Sequence, residues 1–382
     1  MQARDRKMKI VINALSARLG GGQTYLKNLL AHLPEQADLD ILVYAPASLR
    51  LPEDTRIRRL TTRWPTENPL LRTVWEKIAL PSVLRNEKVQ ILFCPGGIIA
   101  TNVPAGCKTV TMFRNMMPFD PVVLQRMPFG LQKIRNWILK RVMLRSMAAA
   151  DLTIFISEYA RCVIEGLINV KNSATIPHGI SSRFRTAKQV IDRPSWLPNG
   201  EYLLYVSRFD VYKHQMEVVQ AYAKLPTDLR NYYKLLLVGE LDSMLSEKVQ
   251  NFINTEKLQN SILILGGITY DDLPNLYHHA KINIFASSCE NCPNILLEAL
   301  GAGKPVLSSS IMPMPEFGMG AVEYFDPIDP EDLASKIIMV LRDESRMKSL
   351  GSMAHHRSLD FEWSVTGLKT WEIMMSLARG VC

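Results

Sequence analysis

Short runs of apolar and β-branched residues recur along the chain, and the stretches between them are long enough to hold a helix. Strands that alternate with helical stretches predict a parallel sheet with crossover helices. A polar, proline-containing segment at residues 185–200 divides the runs into two series. The first series begins at Lys9, Asp40, Ile91, Thr109 and Leu152, and the second at Tyr202, Lys234, Ile262, Ile282 and Pro305.

Two such series predict an α/β protein made of two Rossmann-like, doubly wound parallel-sheet domains. A chain of 382 residues is too long for one ordinary core and suits two. We expect an N-terminal domain over 1–185, a linker over 186–200, a C-terminal domain over 201–360, and a helix over 361–382 that packs back on the first domain. Doubly wound folds bind ligands outside the carboxyl ends of their strands, so the expected site is a cleft that both domains face.

The net charge of +8 is distributed unevenly. Residues 1–190 hold 28 lysines and arginines against 13 acidic residues, whereas residues 191–382 hold 17 against 24. A basic half suggests an anionic partner, such as a membrane surface, a phosphorylated acceptor or a nucleic acid. A solvated basic surface is the plain alternative.

Composition disfavours several classes of protein. No segment reaches the roughly 18 apolar residues that a membrane span needs. The first apolar run is interrupted at Asn13 and Ser16, unlike that of a signal peptide. The six cysteines are scattered through a long chain, which favours a reducing compartment over a disulfide scaffold. We expect a cytoplasmic protein that could also lie peripherally on the cytoplasmic face of the inner membrane.

The most informative segment is SSCENCPNILLEALGAGKPV, residues 287–306. Pro293 suits the first turn of a helix, and Gly301 and Gly303 suit its end. The helix should therefore begin at the ligand site, where its free N–H groups and the positive end of its dipole can hold a diphosphate. The backbone groups proposed for this are those of Asn294, Ile295 and Leu296.

Glu290 and Glu298 lie on either side of the start of this helix. Carboxylates accept hydrogen bonds from hydroxyl groups, which a nucleotide sugar supplies in number. Two glutamates at this spacing carry little information alone. The flanking loop, helix and Gly-Lys-Pro-Val strand entry make the signal strong.

A second motif, YVSRFDVYKHQ at residues 205–215, leads from a strand into Arg208 and Lys213. Arginine supplies a bidentate fork and lysine a point charge, and both can stabilise charge on a departing phosphate. Without the glutamate motif, a surface arginine and lysine would be the preferred interpretation.

Together the two motifs resemble the signature of the family 4 (group 1) retaining glycosyltransferases of the GT-B fold. The glutamate pair followed by A-L-G-A-G-K-P-V is similar to the E-x7-E segment of that family. Residues 207–213 are similar to its S-R-x-x-x-x-K-G element. The departure is His214, which stands where the family usually has glycine and could narrow or reshape the loop.

The resemblance implies transfer of a sugar, with retention at the anomeric carbon, from a UDP- or GDP-linked donor to an acceptor hydroxyl. It implies that Arg208 and Lys213 hold the diphosphate, so that neither a metal nor a cofactor is required. Glu298 would hold the ribose and Glu290 the transferred sugar. The N-terminal domain would bind the acceptor and the C-terminal domain the nucleotide sugar.

Backbone groups in two glycine-containing loops are further candidates for donor binding. Gly266, Gly267 and Ile268 could face the base. Gly21 and Gly22 follow the first strand and precede a helical run, an arrangement that can hold an anion. A glycine-rich loop is weak evidence alone, but this one resembles the N-terminal Gly-Gly loop of the family.

Three residues are candidates for contacts with the sugar or the acceptor. Arg114 and Asn115 occupy the place where many members of the family carry a His-Asp pair, and Asn115 can bond a hydroxyl but cannot titrate. His178 lies in TIPHGI near the expected hinge. Strand-end polar residues commonly have structural roles, and that interpretation is preferred for His178.

Residues 121–150 contain no acidic residue and combine basic with apolar side chains at helical spacing. Such a helix can lie in an anionic membrane interface, and a helix packed on the sheet with solvated cations is an equally weighted alternative. The membrane-facing candidates are Lys133, Arg135, Trp137, Lys140 and Arg141.

The function expected from these features is glycosyl transfer to a saccharide or lipid-linked acceptor, in the synthesis of a cell-envelope polysaccharide, an O-antigen or a glycolipid. Two alternatives remain: a sugar-nucleotide epimerase, and a non-catalytic donor-binding or membrane adaptor subunit. Nucleic-acid binding is disfavoured by the acidic second half. A metal or redox role for the C-x-x-C of Cys289 and Cys292 is disfavoured because no second Cys or His pair has a suitable spacing.

Overall fold

The computed structural model describes residues 7–18, 20–127, 130–185 and 193–380. The chain forms two compact units. The first takes in the chain up to His178 together with the chain from Trp363 onward, and the second is Gly179–Glu362. The change of unit at Gly179 therefore precedes the segment 186–200 expected as a linker. Of that segment, residues 186–192 lie outside the described part of the chain.

The first half of the chain alternates strands and helices, as the hydrophobic pattern predicts. Its elements are β1 (Met8–Asn13), α1 (Gly21–Ala31), β2 (Leu39–Tyr44), β3 (Ile57–Leu60), α2 (Pro69–Ile78), α3 (Leu80–Asn86), β4 (Ile91–Cys94), β5 (Lys108–Phe113), α4 (Pro121–Arg126), α5 (Leu131–Ala149), β6 (Leu152–Phe155), α6 (Glu158–Glu165) and β7 (Ser173–Thr175).

The second half repeats this alternation and ends in helices. Its elements are β8 (Glu201–Val206), α7 (Gln215–Ala223), α8 (Thr227–Tyr232), β9 (Tyr233–Val238), α9 (Ser243–Thr255), β10 (Ile262–Ile264), α10 (Leu273–His279), β11 (Ile282–Phe285), α11 (Asn294–Gly301), β12 (Val306–Ser309), α12 (Met314–Gly318), β13 (Glu323–Phe325), α13 (Pro330–Arg342), α14 (Glu344–Ser358) and α15 (Trp363–Arg379).

Each unit contains one parallel sheet. The seven strands of the first unit are ordered β3-β2-β1-β4-β5-β6-β7, and the six strands of the second are ordered β10-β9-β8-β11-β12-β13. In both sheets the chain starts in the middle, moves to one edge and then crosses to the other, which is doubly wound topology. The predicted fold class of two Rossmann-like α/β domains is confirmed.

Helices α2, α3 and α5 cover one face of the first sheet. Trp75 of α2 packs with Cys94 of β4 in a buried cluster that also contains residues of α3. Residues paired across neighbouring strands have their side chains on the same face of the sheet. Thr111 pairs with Cys94 and Thr153 pairs with Thr111, so both threonines lie on this face. The Thr153 hydroxyl donates to the Met147 carbonyl of α5 at 3.5 Å.

Helices α1 and α15 cover the opposite face. The ring of Tyr25 in α1 lies 6.4 Å from that of Phe93, whose side chain points away from that of its neighbour Cys94. The indole N–H of Trp371 in α15 donates to the Leu29 carbonyl at 3.0 Å. The C-terminal helix thus belongs to the first unit, although it follows the second in sequence.

Over the described residues, no helix combines the length and the apolar character that crossing a lipid bilayer requires.

Candidate functional site

The two motifs predicted to bind the donor lie in two loops of the second unit, the donor loops, which follow neighbouring strands. Strand β8 leads into residues 207–214 and pairs with β11, which leads into residues 286–293. Both loops leave the carboxyl ends of their strands. The Ser288 N–H donates to the Tyr212 carbonyl at 2.9 Å, which joins the loops directly. The topology therefore brings together residues that are about 80 positions apart in sequence.

Lys213 and Glu290 form an ion pair at the centre of these loops. The Lys213 side chain is 7% exposed and that of Glu290 18%. The Tyr205 hydroxyl donates to the Lys213 carbonyl. This hydrogen bond fixes the backbone from which the Lys213 side chain extends towards Glu290. A buried cation held by a single carboxylate is suited to exchange that partner for a more highly charged anion.

Arg208, unlike Lys213, is mostly exposed. Its side chain is 58% exposed, and a guanidinium nitrogen lies 2.6 Å from an Asp210 carboxylate oxygen. This contact raises the pKa of Arg208, so the guanidinium is fully charged. Its backbone carbonyl accepts from the Gln215 amide at 2.7 Å, which fixes the loop while the side chain extends into solvent.

Close packing of backbone at the ends of β8 and β9 sets the course of this loop. Gly239 has a φ of +151°, and a Cβ placed there would lie 2.1 Å from the Ser207 carbonyl oxygen. Only glycine allows the two strand ends to approach in this way. Gly239 was not predicted from the sequence, although its place directly after a predicted strand was a usable signal.

Helix α11 begins at Asn294, directly after Pro293 at its N-terminal cap position. The Asn294 N–H donates to the Cys292 carbonyl at 2.9 Å, and the Leu297 N–H donates to the Pro293 carbonyl. The N–H groups of Ile295 and Leu296 lie in the first turn, where a helix provides no acceptor of its own. They are the better placed of the three predicted groups to meet a diphosphate.

Glu298 is 6% exposed in the middle of α11. Burial raises its pKa to about 8, and a hydrogen bond from the Tyr270 hydroxyl partly opposes the increase. Burial and Glu298 together raise the pKa of Tyr277 far above its ordinary value. The carboxyl group thus lies among phenol side chains and can accept hydroxyl donors once it is ionised. Tyr270 and Tyr277 were not singled out from the sequence.

The loop proposed to face a base follows β10. Gly266 has a φ of +67° and its carbonyl accepts from the Gly239 N–H at 2.8 Å. A Cβ on Gly266 or Gly267 would meet nothing within 4 Å, and Ile268 is half-buried. The loop is open, and it ends next to Tyr270.

In the first unit, three of the predicted residues lie around Tyr25. A Cβ on Gly22 would lie 3.3 Å from a guanidinium nitrogen of Arg114, and Arg114 lies over the Tyr25 ring at 5.7 Å from its centroid. His178 is buried with ring centroids 5.4 Å from Tyr25 and 5.3 Å from Trp363. This environment favours a packing role for His178.

Two further candidates of the first unit have local structural roles. Asn115 is exposed, and its side-chain oxygen accepts from the Met117 N–H at 3.2 Å. Gly21 is the first residue of α1, after Gly20 in a left-handed conformation with a φ of 62°. The turn therefore depends on glycine, and the first turn of α1 lies beside Arg114.

Helix α5 presents apolar and basic side chains to solvent. Trp137 is 59% exposed, and the Arg141 guanidinium stacks 3.4 Å from its ring centroid. Arg135 is also exposed, whereas Lys133 and Lys140 are half-buried, with Lys140 5.4 Å from the Phe119 ring centroid. The other exposed apolar residues of the helix are Leu131, Ile134, Ile138 and Val142.

Helix α2 carries a second exposed apolar stripe, which the sequence analysis missed. Leu70, Leu71, Val74 and Ile78 are all exposed, and they recur at helical spacing. Trp75 of the same helix packs inward. Because α2 and α5 cover the same face of the sheet, both stripes belong to one side of the first unit.

Over the described ranges, no three histidine, cysteine, aspartate or glutamate side chains are grouped as a metal site would require. No disulfide joins any two of the described cysteines, and both Cys289 and Cys292 are buried in the donor loop.

Two family models match this chain. The model described as "Glycosyltransferase Family 4" matches residues 19–184, and that described as "Glycosyl transferases group 1" matches residues 189–357. The matched segments follow one another along most of the sequence.

A curated relative is the "Serotype-specific mannosyltransferase WbdA" of Escherichia coli, 25% identical over 278 residues. The alignment covers 70% of this chain and 33% of WbdA, so the chain spans about a third of the length of this relative.

Solved structures share the fold over nearly the whole chain. Sucrose-phosphate synthase from Thermosynechococcus elongatus has a TM-score of 0.77 at 17% identity, covering 98% of this chain and 100% of that one. Anabaena Alr3699/HepE in complex with UDP-glucose has a TM-score of 0.69 at 17% identity, covering 97% and 100%. With the two sheets, the two motifs and both family models in agreement, this chain belongs to the group 1, family 4 glycosyltransferases of the GT-B fold.

Proposed function

We propose that the protein transfers a sugar, with retention of anomeric configuration, from a UDP- or GDP-linked donor to a saccharide or lipid-linked acceptor. The observation that carries the proposal is the Lys213–Glu290 pair, which joins the loop that holds Arg208 to the loop that leads into α11. Two cations and a helix N-terminus lie in loops that follow two neighbouring strands, at the carboxyl edge of one sheet. Such an arrangement suits a diphosphate leaving group.

In the proposed reaction the bond between the anomeric carbon and the diphosphate oxygen breaks, and a bond from that carbon to the acceptor oxygen forms. The acceptor proton passes to the departing phosphate, so no side chain has to act as a base. Lys213 releases Glu290 to bind the diphosphate, and Arg208 moves from Asp210 to the same anion. Glu290 then faces the sugar and Glu298 the ribose. No resident metal or cofactor takes part.

The proposal is tested by a thermal-shift panel of UDP-, GDP-, ADP- and dTDP-sugars, run on the wild type, Arg208→Ala and Glu298→Ala. One nucleotide sugar should stabilise the wild type, by about 2.7 kcal/mol at a hundred times its dissociation constant. Both variants should lose this response. Binding without subsequent transfer would instead indicate a donor-binding adaptor.

We further propose that the acceptor is part of a cell-envelope polysaccharide, an O-antigen or a glycolipid, and that the first unit meets it at an anionic membrane surface. Supporting observations are the basic and apolar face formed by α5 and α2, and the name of WbdA as a serotype-specific mannosyltransferase. Exposed apolar side chains can enter the lipid interface while arginines contact its phosphates.

Vesicle flotation separates this proposal from a solvated basic surface. The protein should float with vesicles that contain an anionic phospholipid and remain behind with purely zwitterionic ones. Added salt should weaken the binding because exposed charges are screened. Equal recovery with both vesicle types would count against an anionic surface as the partner.

A further inference from the structure

His214 occupies a backbone conformation that side chains usually avoid. Its φ of 54° and ψ of 38° are left-handed, at the junction between Lys213 and helix α7. For a residue with a Cβ this conformation costs roughly 1–2 kcal/mol. Glycine would adopt it without strain. The contacts of the imidazole show what this side chain adds that glycine would not.

The imidazole is fully buried and makes contacts in two directions. Its Nε2 shares a hydrogen bond of 2.8 Å with the Ser288 hydroxyl. Its Nδ1 lies 3.3 Å from a Glu217 carboxylate oxygen in the first turn of α7. The side chain therefore connects the loop after β8 with the loop after β11.

Ser288 is also bound from the other side. Its N–H donates to the Tyr212 carbonyl at 2.9 Å, and its hydroxyl lies 3.4 Å from the same oxygen. Tyr212 and His214 are the neighbours of Lys213, while Ser288 lies two residues before Glu290. The two connections thus flank the ion pair between Lys213 and Glu290.

We propose that His214 is a positioning residue, which holds Lys213 and Glu290 in the mutual geometry that the donor diphosphate and sugar require. The inference rests on the proposed function. In the ion pair the two side chains align each other, but the pair has to open when the donor binds. The His214–Ser288 hydrogen bond does not involve the donor, so it can keep both loops in place while Lys213 and Glu290 change partners. Small losses of alignment reduce transfer rates strongly.

The test compares variants that remove the imidazole with variants that remove its partner. His214→Gly removes the connection and relieves the left-handed strain, so the variant should fold. Ser288→Ala removes the same hydrogen bond from the other loop. Each should lower kcat for transfer from the donor about tenfold, with a smaller change in KM. The loss in the double variant should be smaller than the sum of the two single losses, because both single variants remove the hydrogen bond that His214 and Ser288 share. His214→Asn, whose amide can hydrogen-bond and whose backbone tolerates this conformation, should recover part of the rate.

Lys257→Gly is the matched control. Lys257 is another non-glycine residue of the second unit with a positive φ, 56°, and it is exposed after α9. Its replacement relieves the same backbone strain away from the donor loops. It should leave kcat and KM unchanged.

Hydrogen exchange provides a readout that does not depend on turnover. In His214→Gly, the backbone amides of residues 286–290 should exchange faster than in the wild type, and in Lys257→Gly they should not. If the wild type bound no nucleotide sugar, the proposed function would be contradicted. Faster exchange in His214→Gly would still support the connection that His214 makes between the two loops. Unchanged exchange and unchanged kcat in His214→Gly, or fully additive effects of the two single variants, would overturn the role of His214.

Discussion

The second unit carries a buried charge in its candidate site, whereas the first unit carries exposed charges on α5. In the second unit Lys213 is buried, paired with Glu290 and fixed by neighbouring hydrogen bonds. In the first unit Arg135 and Arg141 are exposed on α5, beside apolar side chains that also face solvent. The buried charge is suited to a small ligand of fixed geometry. The exposed charges suit an extended partner, where the number of contacts matters more than their positions.

The largest effect should follow from removing the buried cation. Lys213→Met keeps an unbranched side chain of similar length but leaves Glu290 without its partner and the diphosphate without one of its two proposed cations. We expect kcat/KM for transfer to decrease about 10²–10³-fold, as for the loss of one group that stabilises a departing charge. Steady-state kinetics measure this decrease.

Lys336→Met is the control for this variant. Lys336 pairs with Glu323 at 3.0 Å in the second unit, on β13 and α13. Its replacement should change kcat/KM less than about twofold, as expected for a partly exposed pair outside the donor loops. A similar decrease in both variants would mean that the Lys213 effect is not local.

A comparable effect on stability should follow from a methyl group at Gly239. The added Cβ would meet the Ser207 carbonyl at 2.1 Å, in a backbone conformation that favours glycine. We expect Gly239→Ala to destabilise the second unit by about 2–4 kcal/mol, measured by chemical denaturation. Gly267→Ala, where the added atom meets nothing within 4 Å, should have little effect. Equal stability of the two variants would contradict the close approach of the strand ends.

Each charge reversal on α5 should weaken vesicle binding by a separate, moderate amount, unlike the single large loss of activity in Lys213→Met. Arg135→Glu and Arg141→Glu should each weaken binding to anionic vesicles by about 2 kcal/mol, since each changes two charges worth roughly 1 kcal/mol apiece. Their effects should add. Lys27→Glu and Lys369→Glu make the same charge changes on α1 and α15, which cover the opposite face of the sheet. If these controls weakened binding equally, overall charge rather than this face would be responsible.

The smallest predicted effect concerns pH. Burial raises the pKa of Glu298 from 4.5 to about 8. Between these values the folded protein holds a proton that the unfolded chain releases, so stability decreases as pH rises, by up to about 1.4 kcal/mol per unit. Glu298→Gln removes this titration. Its stability relative to the wild type should therefore increase between pH 6.5 and 7.5, as measured by denaturation at each pH, and a constant difference would contradict the burial of a titrating carboxyl.

The sequence predicted most of the fold because buried parallel strands are continuous apolar runs. It missed β3, β7 and β13, which are edge strands of three or four residues. The segment Ile57–Leu60 contains two arginines, and short edge strands need not be apolar. The exposed stripe of α2 was not predicted, because the sequence does not distinguish its apolar residues from the inward-facing Trp75 of the same helix.

The sequence predicted individual residues of the candidate site but not the hydrogen bonds that join its segments. Arg208, Lys213, Glu290 and Glu298 were recognised from local motifs. The hydrogen bond between His214 and Ser288 joins residues 74 positions apart, and the contact of Tyr270 with Glu298 joins two further segments. Such pairs depend on strand order and register, which one sequence does not specify. The unusual His214 was visible in the sequence, but its partner was not.

The most direct test of the central claim measures release of nucleoside diphosphate from UDP-, GDP-, ADP- and dTDP-sugars. The wild type and Lys213→Met are compared, with a pooled cell-envelope saccharide and lipid fraction as acceptor. The account predicts that one donor is consumed in an acceptor-dependent way by the wild type, and that Lys213→Met loses this activity while remaining folded. A folded wild type that neither binds nor consumes any of the donors would contradict it.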